Sequence, residues 1–202
     1  MTLSFQDHRQ HVNDIIQAAL TAVDPAAAVA RQLHVQDRKL TIHNQNVEQH
    51  FNLDKGRIFL ISIGKAAVPM GTAVAEKLGD DVVFSLFVAK RSERDWELAF
   101  ADTIYERQPA PFVLIQAGHP VPDGESLRAG TAVFNLLSQT TADDLVIFCI
   151  SGGASALITK PRIPMGDWQT VVTALLGSGC SINEFNSVRR QLDDVKGGGL
   201  AA

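Results

Sequence analysis

Apolar residues along this chain recur with two different periods, which predict helices in some segments and strands in others. Val12, Ile16 and Leu20 belong to a stripe at helical spacing that predicts an amphipathic helix over residues 8–23. Short apolar runs rich in β-branched and aromatic residues predict buried strands. We expect these strands at residues 39–42, 57–63, 82–89, 104–106, 113–117 and 145–150.

Capping residues between the apolar runs mark where helices begin and end. Asp24 followed by Pro25 predicts a helix start, and Gly79 predicts the end of a helix that begins at Ala66. Side chains that can cap further helices stand at Asp123, Asp167 and Ser181, for helices over residues 124–138, 168–176 and 182–192.

The order of these elements predicts the fold class. Strands that alternate with helices and are apolar on both faces are typical of parallel sheets covered by helices. We therefore expect an α/β fold with a parallel, Rossmann-like three-layer sheet that has helices on both faces. Ligands of such sheets bind at the carboxyl ends of the strands, so residues that directly follow a strand are the candidates for chemistry.

Composition narrows the function classes. Of the 202 residues 46% are hydrophobic, and the net charge is −4. The negative charge argues against a protein that binds nucleic acid through a broad basic surface. Cys149 and Cys180 have no second pair of potential zinc ligands nearby in the sequence. We therefore expect reduced thiols, no metal site in the chain and a cytoplasmic protein. No apolar run approaches the ~20 residues that span a bilayer, so we expect no membrane partner.

Gly64-Lys65 follows a predicted strand and opens a predicted helix. Backbone N–H groups and a partial positive charge at a helix start suit a phosphate or a carboxylate, and Lys65 adds a full charge. A Walker A loop does not match, because Phe59 stands at its first glycine and Ala66 at its Ser/Thr. The alternative is an exposed lysine without a ligand.

Ser151-Gly152-Gly153-Ala154-Ser155 follows the most strand-like run of the chain. Paired glycines permit close approach of the backbone, so their N–H groups and the hydroxyls of Ser151 and Ser155 can bind an anion. A nucleophile elbow is disfavoured, because Leu157 replaces its last glycine. The alternative is a tight turn that needs glycine for its own geometry.

Three further sites are weaker candidates for the same chemistry. His119 lies in a rigid turn and could bind substrate or transfer a proton, or be a surface histidine. Asn186 and Arg189 lie on the predicted helix 182–192, where Arg189 could bind an anion or simply be solvated. Lys196-Gly197-Gly198 resembles one more glycine-rich anion loop with a lysine.

Taken in order, these motifs resemble the class II glycerate 2-kinase family, whose carboxyl-terminal part is called the MOFRL domain. The motifs that carry the resemblance include Gly64-Lys65-Ala66-Ala67, the turn 118–123, the loop 151–157, the segment 182–189 and Lys196-Gly197-Gly198. The resemblance implies ATP-dependent phosphorylation of D-glycerate to 2-phosphoglycerate with Mg²⁺, Lys65 being catalytic and the other motif residues binding substrate or phosphate. A homodimer is the expected assembly.

Family members are longer than this chain and have two α/β domains with the active site between them. Residues 1–202 are therefore expected to be the amino-terminal domain, incomplete at its carboxyl end and without the MOFRL domain. Gly199 departs from the arginine of many relatives, and a catalytic arginine of the second domain has no counterpart. The alternatives are an inactive fragment that only binds anions, or a sugar-phosphate-isomerase-like domain.

Overall fold

The computed structural model describes residues 5–44, 47–91 and 111–201. The strands of this part are β1 Leu33–Gln36, β2 Lys39–Asn44, β3 Val47–Asn52, β4 Ile58–Ile63, β5 Val82–Lys90, β6 Phe112–Ala117 and β7 Leu145–Ile150. The helices are α1 Phe5–Ala22, α2 Pro25–Gln32, α3 Ala67–Leu78, α4 Gly124–Leu137, α5 Ala154–Leu157, α6 Met165–Gly177 and α7 Ile182–Leu192. A short 3-10 turn, Gly79–Asp81, precedes β5.

The main sheet is parallel, with its four strands in the order β6-β5-β4-β7. Every residue of β4 is buried, as expected for a central strand covered on both faces. Ile61, Leu86 and Val133 belong to the core between the sheet and α4, while Leu60, Phe87 and Val74 belong to the core on the α3 face. The predicted α/β class, with helices on both faces of a parallel sheet, is confirmed.

A second sheet was not predicted apart from one of its strands. β1, β2 and β3 form an antiparallel sheet, with Leu33 paired to Ile42 and Leu40 paired to Phe51. Leu33 and Leu40 are buried and extend the core on the α3 face. The strand predicted at residues 39–42 lies inside β2. Both β1 and β3 are mostly exposed; β3 has no alternation of apolar and polar residues, and the alternation in β1 spans only four residues.

Most predicted helix boundaries are confirmed by capping hydrogen bonds. The Asp24 side chain accepts from Ala27 N at 2.7 Å, and the predicted capping box of Ser181 and Glu184 opens α7. Asp123 caps α4, and Gly79 ends α3 with a positive φ of 56°. The cap predicted at Asp167 is wrong, because α6 begins earlier, after Pro164, and Asp167 lies in its first turn.

The remaining predictions have separate outcomes. The apolar stripe of α1 is helical as predicted, but Ile15 and Leu20 are 68% and 58% exposed. The strand predicted at residues 104–106 lies outside the described residues. Both cysteines are free thiols, and burial raises the pKa of Cys149 to about 11. Among the described helices, none combines the length and the hydropathy needed to cross a bilayer.

Candidate active site

The carboxyl ends of the four parallel strands lie along one edge of the main sheet. The segments that leave this edge begin with Gly64 after β4, Arg91 after β5, Gly118 after β6 and Ser151 after β7. Of the four strands of the main sheet, β4 comes first along the chain. The chain continues to β5 and β6 on one side of β4 and then returns to place β7 on its other side. Such a reversal of strand order opens a crevice at the carboxyl edge, which is where open α/β sheets bind their ligands.

Hydrogen bonds join the loop after β4 to the loop after β7 across this crevice. Lys65 N donates to Gly152 O at 2.9 Å, and Ala66 N donates to Ser151 Oγ at 3.0 Å. Gly64 has a φ of +132°, and a Cβ there would overlap Ser151 Oγ and lie 2.7 Å from the carbonyl oxygen of Ser151. The two loops therefore form one unit, and the Ser151 hydroxyl is already used within it.

Gly153 marks the point where three predicted site residues converge. Its φ is +89°, and a Cβ built on it would lie 3.2 Å from His119 Nε2 and 3.4 Å from Lys65 Cγ. His119 and Lys65, which belong to different loops, thus border the same glycine. Within the described residues, the amides of Gly152 and Gly153 donate no hydrogen bond, which leaves them available to an anion.

The electrostatic character of this edge is positive. Partial burial, followed by the positive charges of Lys65 and Lys90, holds the pKa of His119 below its ordinary value, so the imidazole is neutral at pH 7. Lys65 and Lys90 are exposed, and the described part of the chain offers neither of them an ion pair. The nearby carboxylate of Asp123 is engaged by Arg91 at 2.8 Å.

Arg189, Asn186 and Lys196 lie around the short helix α5, which follows Gly153. Arg189 Nη2 donates to the carbonyl of Ser155, and Nη1 donates to Asn186 Oδ1 at 3.4 Å. Lys196 Nζ donates to Ile158 O at 2.6 Å. Burial lowers the pKa of both cations, that of Lys196 to about 8. Both head groups therefore hold backbone carbonyls of the α5 segment, while the Ser155 residue itself is exposed.

Asp193 lies beside Lys196, hydrogen-bonds to the backbone and was not recognised from the sequence. Its side chain is fully buried and accepts from Thr159 Oγ1, from Lys160 N at 2.9 Å and from Val195 N at 3.0 Å. Its Oδ2 also lies 3.6 Å from Lys196 Nζ. No spacing pattern distinguishes Asp193 from the exposed acids of the chain, since its role depends on contacts 33 and 34 residues away.

Gly197 and Gly198 belong with the α7 segment. Their φ values are +66° and +95°, which explains glycine at both positions. A Cβ on Gly197 would lie 3.4 Å from Arg190 Cγ, so this turn packs against α7. The predicted site residues thus fall into two groups, one around Gly153 at the edge of the sheet and one that braces α5.

Lys90 is the second residue that the sequence interpretation missed. A signal was present, because Lys90 directly follows the apolar strand predicted at residues 82–89. The rule that selected Lys65, His119 and Ser151 as residues that follow strands selects Lys90 as well.

Comparison with known proteins identifies the family of this chain. A family model described as a domain of unknown function, DUF4147, matches residues 11–202. The chain belongs to this family. The DUF4147 domain is the amino-terminal domain of glycerate kinase family members.

Individual relatives of this DUF4147 chain carry two kinds of name. The chain is 32% identical to a glycerate 2-kinase of Pyrococcus horikoshii, over 93% of this chain and 39% of that protein. It is also 32% identical to a putative hydroxypyruvate reductase of Agrobacterium vitis, over 100% of this chain and 40% of that protein. The chain therefore spans about two-fifths of the length of the curated relatives it matches.

A solved structure shares the fold. A crystal structure of a Pyrococcus horikoshii protein matches with a TM-score of 0.75 at 30% identity, over 100% of this chain and 42% of that chain. The whole DUF4147 chain, including the small antiparallel sheet, is thus covered by this likeness.

Proposed function

We propose that this chain forms one wall of the active site of a glycerate kinase, which transfers a phosphoryl group from ATP to the 2-hydroxyl of D-glycerate. The observation that carries the proposal is the convergence of Lys65, His119 and Gly153 at the reversal of strand order. The glycerate kinase names of relatives that match nearly the whole chain support the choice of reaction. The product would be 2-phosphoglycerate.

The arrangement suits phosphoryl transfer, which depends mostly on positioning and on neutralising negative charge. The amides of Gly152 and Gly153 would donate to phosphate oxygens of bound ATP, whose chemical contribution is the transferable phosphoryl group. Lys65 would neutralise charge on the transferring group or on the glycerate carboxylate. His119, being neutral, would accept a hydrogen bond or a proton from the substrate hydroxyl.

The residues around α5 would support this loop. Direct binding of anionic oxygens by Arg189 and Lys196, and of substrate by Asn186, stays a prediction. Arg189 and Lys196 already donate to the carbonyls of Ser155 and Ile158, so we assign them the task of holding the segment after Gly153 in place. Direct binding of phosphate by Ser151 likewise stays a prediction, because its hydroxyl accepts from Ala66 N. Ser155, which is exposed, remains a candidate hydroxyl donor.

The described residues do not fit a protein-bound Mg²⁺ ion. Within residues 5–44, 47–91 and 111–201, no group of three or more His, Cys, Asp or Glu side chains is placed to hold a metal. Asp123 is paired with Arg91, and Asp193 is buried among four donors. The expected Mg²⁺ requirement stays a prediction, and we derive no step through it.

The remaining three-fifths of the longer relatives would supply the opposite wall of the cleft. This part of the proposal rests on the resemblance to class II kinases with a MOFRL domain and on the 39% share of the Pyrococcus horikoshii protein that is matched. A cytoplasmic location, a homodimer and the absence of nucleic-acid partners stay predictions.

Reduction of hydroxypyruvate is the second candidate, because one relative is named a putative hydroxypyruvate reductase. A dinucleotide-binding loop of the form G-x-G-x-x-G is absent after β4 and after β7. The sequence therefore favours phosphoryl transfer over hydride transfer from a nicotinamide cofactor.

A chimera tests the proposal. This chain would replace the matched 39% of the Pyrococcus horikoshii glycerate 2-kinase, and ADP release would be measured with D-glycerate, without it, and for the chain alone. Parallel assays would follow oxidation of NADH with hydroxypyruvate and isomerisation of sugar phosphates without ATP. We expect glycerate-dependent ADP release by the chimera only.

Substitution of Lys65 locates the activity in this chain. Lys65→Ala in the chimera should lower kcat at least ~100-fold, the scale of losing one partner of transition-state charge. Lys55→Ala, which removes an exposed lysine from the turn before β4, is the matched control. Near-normal turnover by Lys65→Ala, or NADH oxidation without ADP release, would overturn the proposal.

A further inference from the structure

Lys90 lies at the same edge of the sheet as the proposed site. It is the last residue of β5 and pairs with Ala117, the last residue of β6. Arg91 N donates to Ala117 O at 2.9 Å, so the pairing continues past the end of the strand. Since paired residues of neighbouring strands are about 5 Å apart, Lys90 lies within reach of His119, two residues beyond Ala117.

The side chain of Lys90 belongs to the face of the sheet that carries the site loops. Side chains alternate along a strand, so Lys90 shares its face with Leu86 and Val88. Both of these pack in the core that also contains Ala129 of α4 and Leu157 of α5. Helix α5 follows Gly153 directly, so Lys90 lies on the same face of the sheet as the segment that follows the loop after β7.

The charge of Lys90 has no carboxylate counterpart among the described residues. The neighbouring Arg91 pairs with Asp123 at 2.8 Å, so this described carboxylate is already engaged. Lys65, on the other loop bordering His119, is unpaired in the same sense. Two like charges at one edge repel each other and weaken the fold slightly, so an anion that binds both would relieve this repulsion.

We infer that Lys90 is a second anion-binding residue of this site, and that Lys65 and Lys90 bind two negatively charged groups of one ligand beside His119. The inference rests on the proposed function and names its ligand class. Two chemistries carry such a pair of charges, namely the linked phosphates of a nucleotide and a phosphorylated hydroxy acid. An orthophosphate ion has one centre and would contact the two lysines less well.

The titration of His119 supports this placement, because the positive charges of both Lys65 and Lys90 contribute to the lowering of its pKa. Among the described residues, the neighbouring charged groups Arg91 and Asp123 form an ion pair with each other. Loss of either lysine should therefore raise the pKa of His119. Binding of an anion at the two lysines of the unchanged chain should raise it as well.

The experiment measures binding of pyrophosphate, D-2-phosphoglycerate and orthophosphate to the whole chain by calorimetry at fixed ionic strength. The His119 ring is titrated by NMR in the same samples. Lys90→Gln is compared with the unchanged chain and with Lys55→Gln, which removes the same charge at the opposite edge of the sheet. We expect Lys90→Gln to weaken binding of pyrophosphate or phosphoglycerate about tenfold, the factor for one charge-assisted contact.

The expected pattern has three parts. Lys90→Gln weakens binding of orthophosphate less than binding of the ligand with two anionic groups. Lys55→Gln has little effect on binding, and the pKa of His119 rises in Lys90→Gln. The ligand that loses more affinity identifies which chemistry the lysine pair recognises. The inference is overturned if the unchanged chain binds none of these anions, or if Lys90→Gln and Lys55→Gln bind equally. The chimera assay measures phosphoryl transfer, so failure there is distinguishable from failure here.

Discussion

Substitution of Gly64 by alanine tests the junction between the two loops of the site. The added Cβ would overlap Ser151 Oγ, and its 2.7 Å approach to the Ser151 carbonyl involves backbone that cannot rotate away. The φ of +132° adds strain for any residue with a side chain. A strained backbone costs of order 1–3 kcal/mol and overpacking about the same, so we expect a loss of about 2–6 kcal/mol in the free energy of unfolding.

Such a loss is large for a domain whose total stability is typically about 5–15 kcal/mol. Urea denaturation followed by circular dichroism would measure it. The matched control is Gly152→Ala in the facing loop, because a Cβ there meets no atom within 4 Å and its φ is not left-handed. We expect this control to stay within about 0.5 kcal/mol of the unchanged chain.

The loops should also separate in Gly64→Ala. The hydrogen bonds from Lys65 N and Ala66 N to the β7 loop would break, so these two amides should exchange with solvent faster than in Gly152→Ala. Equal unfolding free energies and equal amide protection for Gly64→Ala and Gly152→Ala would refute the reasoning, because the overlap would then be absent in solution.

Three further predictions concern the buried cluster around Asp193 and the exposed helix α1. Asp193→Ala should destabilise by about 3–5 kcal/mol in urea denaturation, because it leaves the largely buried Lys196 and two backbone N–H groups without their partner. Thr159→Val should cost about 1–2 kcal/mol, and equal losses would contradict this. Burial lowers the pKa of Lys196 to about 8 from 10.5, so the unfolded chain binds the additional proton between these values. Stability should therefore rise from pH 8 to pH 10 relative to Lys196→Met, and parallel pH profiles would argue against it. Ile15→Gln on α1, at a side chain that is 68% exposed, should change the unfolding free energy by less than about 0.5 kcal/mol, and a larger loss would show that the stripe is covered in solution.

The main sheet could be predicted because its strands are contiguous apolar runs bounded by turn residues. The run predicted at residues 57–63 becomes β4 almost unchanged, and Gly64 after β4 and Gly153 after β7 have the positive φ values that their loops need. The rule that ligands bind beyond the strand ends then brought Lys65 and His119 to one place.

Partners of side chains could not be predicted in the same way. Helical periodicity showed that α1 is amphipathic, but not whether another element covers its apolar stripe, and Ile15 is exposed. Arg189 and Lys196 were expected to face an anion, since sequence cannot tell a cation aimed at a ligand from one aimed at a backbone carbonyl. The exposed strand β3 lacks the alternation of apolar and polar residues that reveals half-buried strands, and in β1 that alternation spans only four residues.

The central claim is that an anionic ligand binds at the reversal of strand order, against the glycine loop after β7. The most direct test is an NMR titration of the isotope-labelled chain with ATP, following every assigned amide. We predict that the largest shifts fall on Lys65, Gly152 and Gly153, and that the amides of Lys55 and Gly56, in the turn before β4, stay unchanged. Shifts that avoid the glycine loop, or that are equally large in the turn before β4, would contradict the account.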